Sequence, residues 1–402
     1  MSTQQRGPER FDRFGSIGIE EEFYLVDEEG EPARGIGDLL DREPPGGILR
    51  DRIDHELFEF TVETQTPVIE ELDAVGPTIR QVRQALIEYA QTHGYHILCA
   101  GLHPTARWWE LPHTDKPRYR SQLERIQYPQ HRNITSGLHI HIGVDDPDAA
   151  VWIANRLRWY VAPVLAISAN SPFWCGADTG LASARASIFE GLPNTGMPGA
   201  FDSFAAFDRF ERRMVDSGQI RDRGELWFDV RPHTAYGTVE LRAPDVQTDP
   251  DRSVAIVEYV HALVEELRDA YTRGDLPPML RREELTANKW QALRYGAEAT
   301  LLTGAEGETV SVRELLPADA RRLGRRGLGG PVDAHTGTTV QRQIYGTERA
   351  AAPRRRNCWI SGRSSRSMGS TPSSATPTRA RRSCRGCGRS CARPRSTRPP
   401  CS

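Results

Sequence analysis

The chain of 402 residues lacks long apolar runs, and it contains few lysines and few cysteines outside its C-terminal end. No stretch of about 18 apolar residues occurs, so a membrane-spanning helix is not expected. The N-terminal residues MSTQQRGPERFDRFG also lack the apolar segment of a secretory signal. We therefore expect a cytoplasmic protein that does not associate with membranes.

Two common nucleotide-binding motifs are also absent. Neither GxxxxGK[ST] nor GxGxxG occurs in the sequence. The first cradles phosphates with backbone amides and a lysine, and the second marks a dinucleotide-binding unit. Any nucleotide site in this chain must therefore use another set of ligands.

The formal charge divides the chain into two segments. Residues 351–402 contain thirteen arginines and no aspartate, glutamate or lysine, whereas the first 350 residues carry a net charge of −15. All basic residues of the first segment are arginines except Lys116 and Lys289. Such a surface repels nucleic acid and stays soluble where salt screens its charge. The composition indicates a salt-rich cytoplasm and no nucleic-acid partner.

The C-terminal segment differs in composition as well as in charge. It holds five of the seven cysteines and has almost no apolar periodicity, so it cannot bury enough apolar surface to fold. Cys384 and Cys387 form a CxxC, but no second pair at zinc-finger spacing follows. We favour a shift of reading frame near residue 350, which leaves residues 351–402 as a disordered or frameshifted tail. A zinc knuckle and a basic nucleic-acid-binding arm are the alternatives.

Several segments alternate polar and apolar residues with the period of a β-strand. Each has charged or imidazole side chains on one face and apolar side chains on the other. The segments are SIGIEEEFYLV, LFEFTVETQTPV, GLHIHIGV and GELWFDVRPHTAYGTVELRAPD, the last with a turn at residues 232–236. The polar-face residues of interest are Glu20, Glu22, Glu63, His139, His141, Glu240 and Arg242.

Three helical patterns lie between these strands. They cover residues 70–94, 146–172 and 249–271, and the first ends at Gly94. Strands that are apolar on one face only are typical of an antiparallel or mixed sheet with helices on one side. We therefore predict an α+β fold in which the other sheet face is an open cleft.

The polar face carries several carboxylates that repel one another unless a cation lies among them. A hard divalent ion with oxygen ligands, Mg²⁺ or Mn²⁺, is the usual solution. A single glutamate on an open sheet simply faces water, but the combination with histidines and an arginine favours a metal site. Glu21, on the apolar side of its strand, is interpreted as part of a local ion pair or a strand-end feature.

A zinc hydrolase is the main alternative from another reaction class. The HxH of His139 and His141 supplies two zinc ligands, but no third histidine or cysteine follows at a helpful spacing. The other histidines considered are interpreted as loop or hydrogen-bonded surface residues: His103, His113, His131 and His233. A non-catalytic binding module is disfavoured, because so many ionisable groups on one face are costly without chemistry to perform. Cys99 and Cys175 are interpreted as structural thiols.

Six ordered blocks resemble the type 2 glutamate-cysteine ligases, also called carboxylate-amine ligases. The blocks are GIEEEFYLVD, VETQTPV, TSGLHIHIGV, ISANSPFWCG, SARASIF and GTVELRAPD. The acidic, lysine-poor composition is similar to that of the haloarchaeal members. The resemblance implies a glutamine-synthetase-like antiparallel sheet that forms a funnel around metal ions and ATP, with residues 1–350 as the catalytic domain.

The resemblance also implies roles for individual residues. Glu20 and Glu22 match the ExE of the first strand, Glu63 matches the glutamate before TPV, and Glu56 matches a further acidic position. His139 matches a histidine near metal and nucleotide. These residues, with Glu240, form the implied metal set.

Two arginines complete the implied site. Arg242 matches the arginine of an ExR that faces the transferring phosphate, and Arg185 matches an arginine near phosphate or the substrate carboxylate. The role of His141 is left open, because the residue type at that position varies between ligase branches. The implied reaction joins L-glutamate and L-cysteine with ATP through a γ-glutamyl phosphate. Other carboxylates and amines are alternative substrates, and the oligomeric state is left open.

Overall fold

The computed structural model describes residues 8–42, 44–304, 306–324 and 341. Within these residues the strands are β1 (Ile17–Val26), β2 (Ile53–His55), β3 (Thr61–Gln65), β4 (His96–Leu98), β5 (Leu138–Gly143), β6 (Phe173–Trp174), β7 (Ala177–Asp178), β8 (Thr195–Gly196), β9 (Trp227–Phe228), β10 (Val230–His233), β11 (Thr238–Leu241), β12 (Thr300–Leu302) and β13 (Thr309–Ser311). The α-helices are α1 (Val75–Thr92), α2 (Pro117–Ile126), α3 (Tyr128–His131), α4 (Pro147–Ser168), α5 (Ala184–Phe189), α6 (Phe204–Asp216), α7 (Pro250–Arg273), α8 (Arg282–Tyr295) and α9 (Val312–Arg322). The predicted tail at residues 351–402 lies outside the described residues.

Seven strands form one sheet around β1. The strand order is β10-β11-β5-β1-β3-β2, and β4 pairs with the C-terminal end of β1. Every neighbouring pair in this sheet is antiparallel. The predicted combination of helices with an antiparallel sheet is therefore confirmed.

Three long helices pack on one face of this sheet. Ile17 and Ile19 of β1 and Ile140 of β5 lie in a buried cluster with side chains of α4 and α7. Phe23 and Leu25, further along β1, join a second cluster with side chains of α1. The side chains of Ile17, Ile19, Phe23 and Leu25 thus alternate with those of Glu20 and Glu22, as the period of two predicts.

The ends of these helices follow from local sequence signals. Asp146 caps α4 by accepting a hydrogen bond from the Ala149 N–H at 2.6 Å, and Asp249 caps α7 in a similar way. Gly274 ends α7 with a φ of 74°, which favours glycine. The helix α1 ends two residues before Gly94, whose φ is also positive. All three predicted helices are confirmed.

The opposite face of the sheet is not open along its whole length. The strand predicted from residue 57 begins only at Thr61, and Phe58 and Phe60 precede it. Both phenylalanines are buried with Tyr24 and Tyr119 in a third apolar cluster. The Tyr24 and Phe60 rings stack with their centroids 5.3 Å apart. Aromatic packing thus closes one end of this face and leaves the cleft at the other.

Two further expectations concern the thiols and the membrane. Cys99 is buried, and burial raises the pKa of its thiol to about 12, which suits a structural residue. Cys175 is half-buried. Among the described helices, none combines the length and apolar character needed to span a bilayer.

Candidate active site

Polar residues from neighbouring strands lie directly opposite one another on the sheet face away from α1, α4 and α7. Residues opposed in this way have Cβ atoms about 5 Å apart, so their side chains meet. The opposed pairs are Glu20 with His139, Glu22 with Glu63, Glu240 with His141, and Arg231 with Glu240. Strand register alone therefore gathers residues that are up to 220 positions apart in the sequence.

His139 lies between two of the carboxylates. Its side chain is only 2% exposed, its Nδ1 is 3.0 Å from Glu20 Oε2, and its Nε2 is 3.8 Å from Glu22 Oε1. The Gly137 N–H donates to the other oxygen of Glu22 at 2.6 Å. Burial would raise the pKa of Glu20, but the hydrogen bond with His139 and the nearby imidazole of His141 bring it well below its ordinary value. Glu20 is therefore ionised at neutral pH.

Two groups of side chains have the composition and spacing of a divalent-cation site. One consists of Glu20, His139 and Glu240, and the other of Glu22, Glu63 and His139. Within each group, one ligand atom from every residue lies within 4.8 Å of the others. Carboxylate oxygens dominate both groups, as expected for Mg²⁺ or Mn²⁺.

Glu240 is held by two arginines. Arg231 Nε donates to Glu240 Oε2 at 2.6 Å, and Arg242 donates to Oε1. Burial would raise the pKa of Glu240, whereas Arg231 and Arg242 lower it well below its ordinary value. The prediction from sequence missed Arg231. The available signal was the alternation in DVRPH, which places Arg231 on the same face as His233.

Glu63 and Glu56 lie in a more negative environment than Glu20 and Glu240 do. Burial, followed by the charge of Glu20, raises the pKa of Glu63 well above its ordinary value. Burial and the charge of Glu22 raise the pKa of Glu56 to about 7. Gln65 donates one hydrogen bond to Glu63 at 2.9 Å. A cation would relieve this repulsion, so the side chains fit a metal ion. Glu56 lines the same cleft but belongs to neither three-residue group.

Arg185 lies behind this cleft on α5. Its guanidinium is buried and donates to the carbonyl of Ala243 at 3.1 Å and to that of Arg242. A Cβ at Gly137 would lie 2.1 Å from one of its terminal nitrogens, so only glycine allows this approach. Arg185 also lines the cleft, and its Nε has no hydrogen-bond partner within the described ranges.

The cleft has a volume of about 380 Å³, which is in the usual range for small-molecule sites. Its walls include residues that the prediction from sequence missed, notably Arg118, Tyr119 and Asp222. Arg118 is exposed at the start of α2, and it makes no hydrogen bond or ion pair in the part of the chain that the structure describes. It therefore offers a cation to an incoming anion.

The interpretation of His233 as a loop or surface histidine is wrong. It ends β10 and lines the cleft, stacked on Tyr236 with ring centroids 4.4 Å apart. Burial lowers the pKa of its imidazole to about 3. His103 lies in a loop but is buried and hydrogen-bonded to the Gly30 carbonyl. Among the described residues, both metal-type groups contain a single histidine and no cysteine, which disfavours the zinc alternative.

Glu21 forms the local ion pair that its position on the apolar face predicts. Arg83 of α1 donates from Nε to Glu21 Oε2 at 2.8 Å, and both side chains are 5% exposed. Ser253 of α7 donates to the other oxygen of Glu21 at 2.9 Å. This carboxylate therefore links the sheet to two helices and does not take part in the cleft.

Sequence comparisons agree with the resemblance. Residues 16–353 match the family described as glutamate-cysteine ligase family 2. The glutamate–cysteine ligase of Haloferax volcanii is 58% identical over 335 residues, which cover 83% of this chain and 94% of that protein. The glutamate–cysteine ligase of Haloquadratum walsbyi is 56% identical over 340 residues, covering 84% of this chain and 94% of that protein.

Two solved structures share the fold at low sequence identity. A glutamate–cysteine ligase from Francisella tularensis in complex with AMP has a TM-score of 0.61 and 13% identity, covering 85% of this chain and 86% of that one. A bifunctional glutathione synthetase from Pasteurella multocida has a TM-score of 0.60 and 17% identity, and the match covers 85% of this chain. In that case the match spans only 51% of the other chain.

Proposed function

The chain belongs to glutamate-cysteine ligase family 2, and from this membership we propose that it joins L-glutamate to L-cysteine at the expense of ATP. The product is γ-glutamylcysteine, formed through a γ-glutamyl phosphate. The observation that carries the proposal is the pair of carboxylate groups around His139, which lie beside Arg242 in a cleft of small-molecule size. This arrangement suits phosphoryl transfer without a glycine-rich phosphate loop.

The proposal includes the glutamine-synthetase-like arrangement, with the cleft as the funnel that receives ATP. Glu20, His139 and Glu240 would hold a divalent cation, and Glu22 and Glu63 are the alternative partners of the same histidine. Glu56 adds negative charge beside them. Mg²⁺ or Mn²⁺ bound there would supply positive charge that offsets the negative charge of the phosphate groups.

The arginines of the cleft have separate tasks in this reaction. An oxygen of the substrate γ-carboxylate attacks the terminal phosphorus of ATP, and ADP leaves. Arg242, fixed by Glu240, stabilises the negative charge that develops on the transferring phosphate. Arg185 holds the carbonyls of Arg242 and Ala243 and so keeps this end of the cleft in place. Arg118 binds a carboxylate of the incoming amino acid. The cysteine amine then attacks the acyl carbon and phosphate departs.

An assay of phosphate release tests the proposal directly. The purified chain is incubated with ATP, Mg²⁺ and glutamate in molar KCl, together with each of the twenty amino acids in turn. Phosphate release with cysteine alone is the expected result. Release with another amine would indicate a carboxylate-amine ligase with different substrates, and phosphate release that requires neither glutamate nor an amine would favour the metal-dependent hydrolase.

We also propose that residues 1–350 form the catalytic domain of a cytoplasmic enzyme with small-molecule substrates. Whether this enzyme forms a homo-oligomer can be measured from its mass in solution. The family match ends at residue 353, close to the change in composition. A shifted frame predicts that resequencing the gene reveals an insertion or deletion near the codon of Ala350. An unambiguous gene sequence that keeps the arginine-rich end would contradict the shift and favour a basic arm.

A further inference from the structure

The proposed reaction does not explain the surroundings of one ring nitrogen of His141, the Nε2 atom. The residue lies on β5, 4% exposed and directly opposite Glu240 of β11. Its Nδ1 lies 3.0 Å from Thr238 Oγ1. Its Nε2 is buried and has no hydrogen-bond partner among the described residues. Buried polar atoms are nearly always hydrogen-bonded, so this nitrogen calls for a physical explanation.

The Nε2 atom faces two carboxylates at equal distances. It is 3.7 Å from Glu20 Oε1 and 3.7 Å from Glu240 Oε1. Ionised carboxylates only accept hydrogen bonds, so a neutral imidazole in this position carries its proton on Nε2. Nδ1 then accepts a hydrogen bond from the Thr238 hydroxyl. This tautomer directs one N–H at the space between Glu20 and Glu240.

Neighbouring rings restrict the orientation of this imidazole. The His233 ring centroid lies 5.3 Å away in an edge-to-face contact, and that of Tyr236 lies 5.5 Å away in a similar contact. Together with Thr238, these rings fix the direction of the Nε2–H bond. A donor held in this way can set the separation of two carboxylates.

We propose that His141 is a positioning residue that holds Glu20 and Glu240 at the separation required by a single divalent cation. The inference rests on the metal-dependent reaction proposed above, and it assigns His141 a role in which the residue touches neither ion nor substrate. Glu20 and Glu240 both belong to the group that includes His139. Removing an outer group that orients metal ligands typically weakens metal affinity about 10- to 100-fold.

The test is Mn²⁺ binding to the full chain in molar KCl, without nucleotide or amino acids. Calorimetry gives the affinity, and electron paramagnetic resonance reports the surroundings of the bound ion. His141→Asn retains an atom that faces Thr238 but loses the donor at Nε2, and we expect about 10- to 100-fold weaker binding at one site. His141→Gln carries an amide donor near the Nε2 position and is expected to recover most of the affinity.

His103→Asn is the matched control, because it removes a buried imidazole outside the cleft and leaves the His141 donor and its neighbouring rings in place. Its Mn²⁺ affinity is expected to equal that of the unmodified chain. Unfolding midpoints without metal show whether each variant is folded. If His141→Asn does not fold, Thr238→Val serves instead. It frees Nδ1, and a smaller loss of affinity is expected.

The possible results separate this inference from the proposed function. Equal Mn²⁺ affinity in the unmodified chain and in His141→Asn would overturn the positioning role. Equal losses in His141→Asn and His141→Gln would also overturn it, since the ring would then bind the ion itself or merely fill space. An unmodified chain that binds no Mn²⁺ would defeat the metal-dependent reaction as well. If the unmodified chain and the His141 variants bound Mn²⁺ with equal affinity, the proposed metal-dependent reaction would be unaffected and only the positioning role of His141 would be rejected.

Discussion

Glu20 and Glu21 are consecutive residues of β1, but their carboxylates lie on opposite faces of the sheet. Glu20 contacts His139 in the cleft, and Glu21 contacts Arg83 beneath α1. We propose a role in catalysis for the first and a role in stability for the second. Replacing each by glutamine therefore separates the two roles within one strand.

The first prediction concerns the cleft. We expect Glu20→Gln and Glu240→Gln each to abolish ligation. The unfolding midpoint should stay close to that of the unmodified chain in Glu20→Gln, whereas it should fall in Glu240→Gln, because Arg231 and Arg242 lose the carboxylate that pairs with them. Each change removes a charge that faces the proposed metal site and preserves the shape of the side chain. Steady-state phosphate release is the measurement, and near-normal turnover in either variant would contradict the assignment.

Glu21→Gln is the matched control for these variants. It leaves the Arg83 guanidinium buried without its carboxylate, which typically costs about 3–5 kcal/mol of stability. Denaturant unfolding measures this loss. At a temperature where the variant is folded, its Mg²⁺-dependent activity is expected to remain. A stable but inactive Glu21→Gln would show that the two faces of β1 are not separate in function.

The second prediction concerns the choice of metal. After treatment with a chelator, activity is expected to return with Mg²⁺ or Mn²⁺ and not with Zn²⁺. The physical reason is that four glutamates and one histidine form the two groups, with no cysteine. Titrating each metal into the chelated chain and following phosphate release tests this. Restoration by Zn²⁺ alone would favour the hydrolase.

The third prediction concerns pH. The pKa of Glu56 is raised to about 7 in the folded chain, so the folded state binds this proton more tightly than the unfolded state does. The resulting stability is present below the ordinary pKa of glutamate and is lost as the pH rises through about 7. Without divalent metal, the free energy of unfolding should fall less steeply between about pH 5 and pH 8 in Glu56→Gln than in the unmodified chain. Parallel curves for the two chains would refute this.

The fourth prediction concerns salt. A net charge of −15 over the first 350 residues opposes the compact state until counter-ions screen it. The unfolding midpoint should therefore rise as KCl increases from low to molar concentration. Replacing KCl by an uncharged osmolyte at the same water activity is the control, because it does not screen charge. A midpoint that fell with increasing KCl would contradict the expectation.

Alternation along single strands was sufficient to predict which side chains of the strands face the cleft. It placed Glu20, Glu22, His139 and Glu240 on polar faces because the side-chain period of a strand is two, whatever its neighbours are. The same reasoning correctly placed Glu21 on the apolar side. These predictions needed only local information.

Cross-strand and long-range contacts could not be obtained in this way. Arg231 meets Glu240 only through the register of β10 against β11, which depends on where their turn lies. The turn was predicted at residues 232–236 but occupies residues 234–237. The alternation of β1 puts Tyr24 on the same face as Glu20 and Glu22, but contacts with Phe60 and other aromatic side chains bury it completely. Such outcomes depend on the packing of distant segments.

The ion pair between Glu21 and Arg83 also bears on how the sheet reaches the correct alignment. Residues 20–22 are all glutamate, so a shift of β1 by one residue would still present a carboxylate to the cleft. The same shift would turn two carboxylates toward the helices, where Arg83 can neutralise only one of them. The misaligned sheet would thus bury an uncompensated charge at a cost of several kcal/mol. Arg83 therefore favours the correct register of β1. In this way it preserves the geometry of a site to which it contributes no ligand.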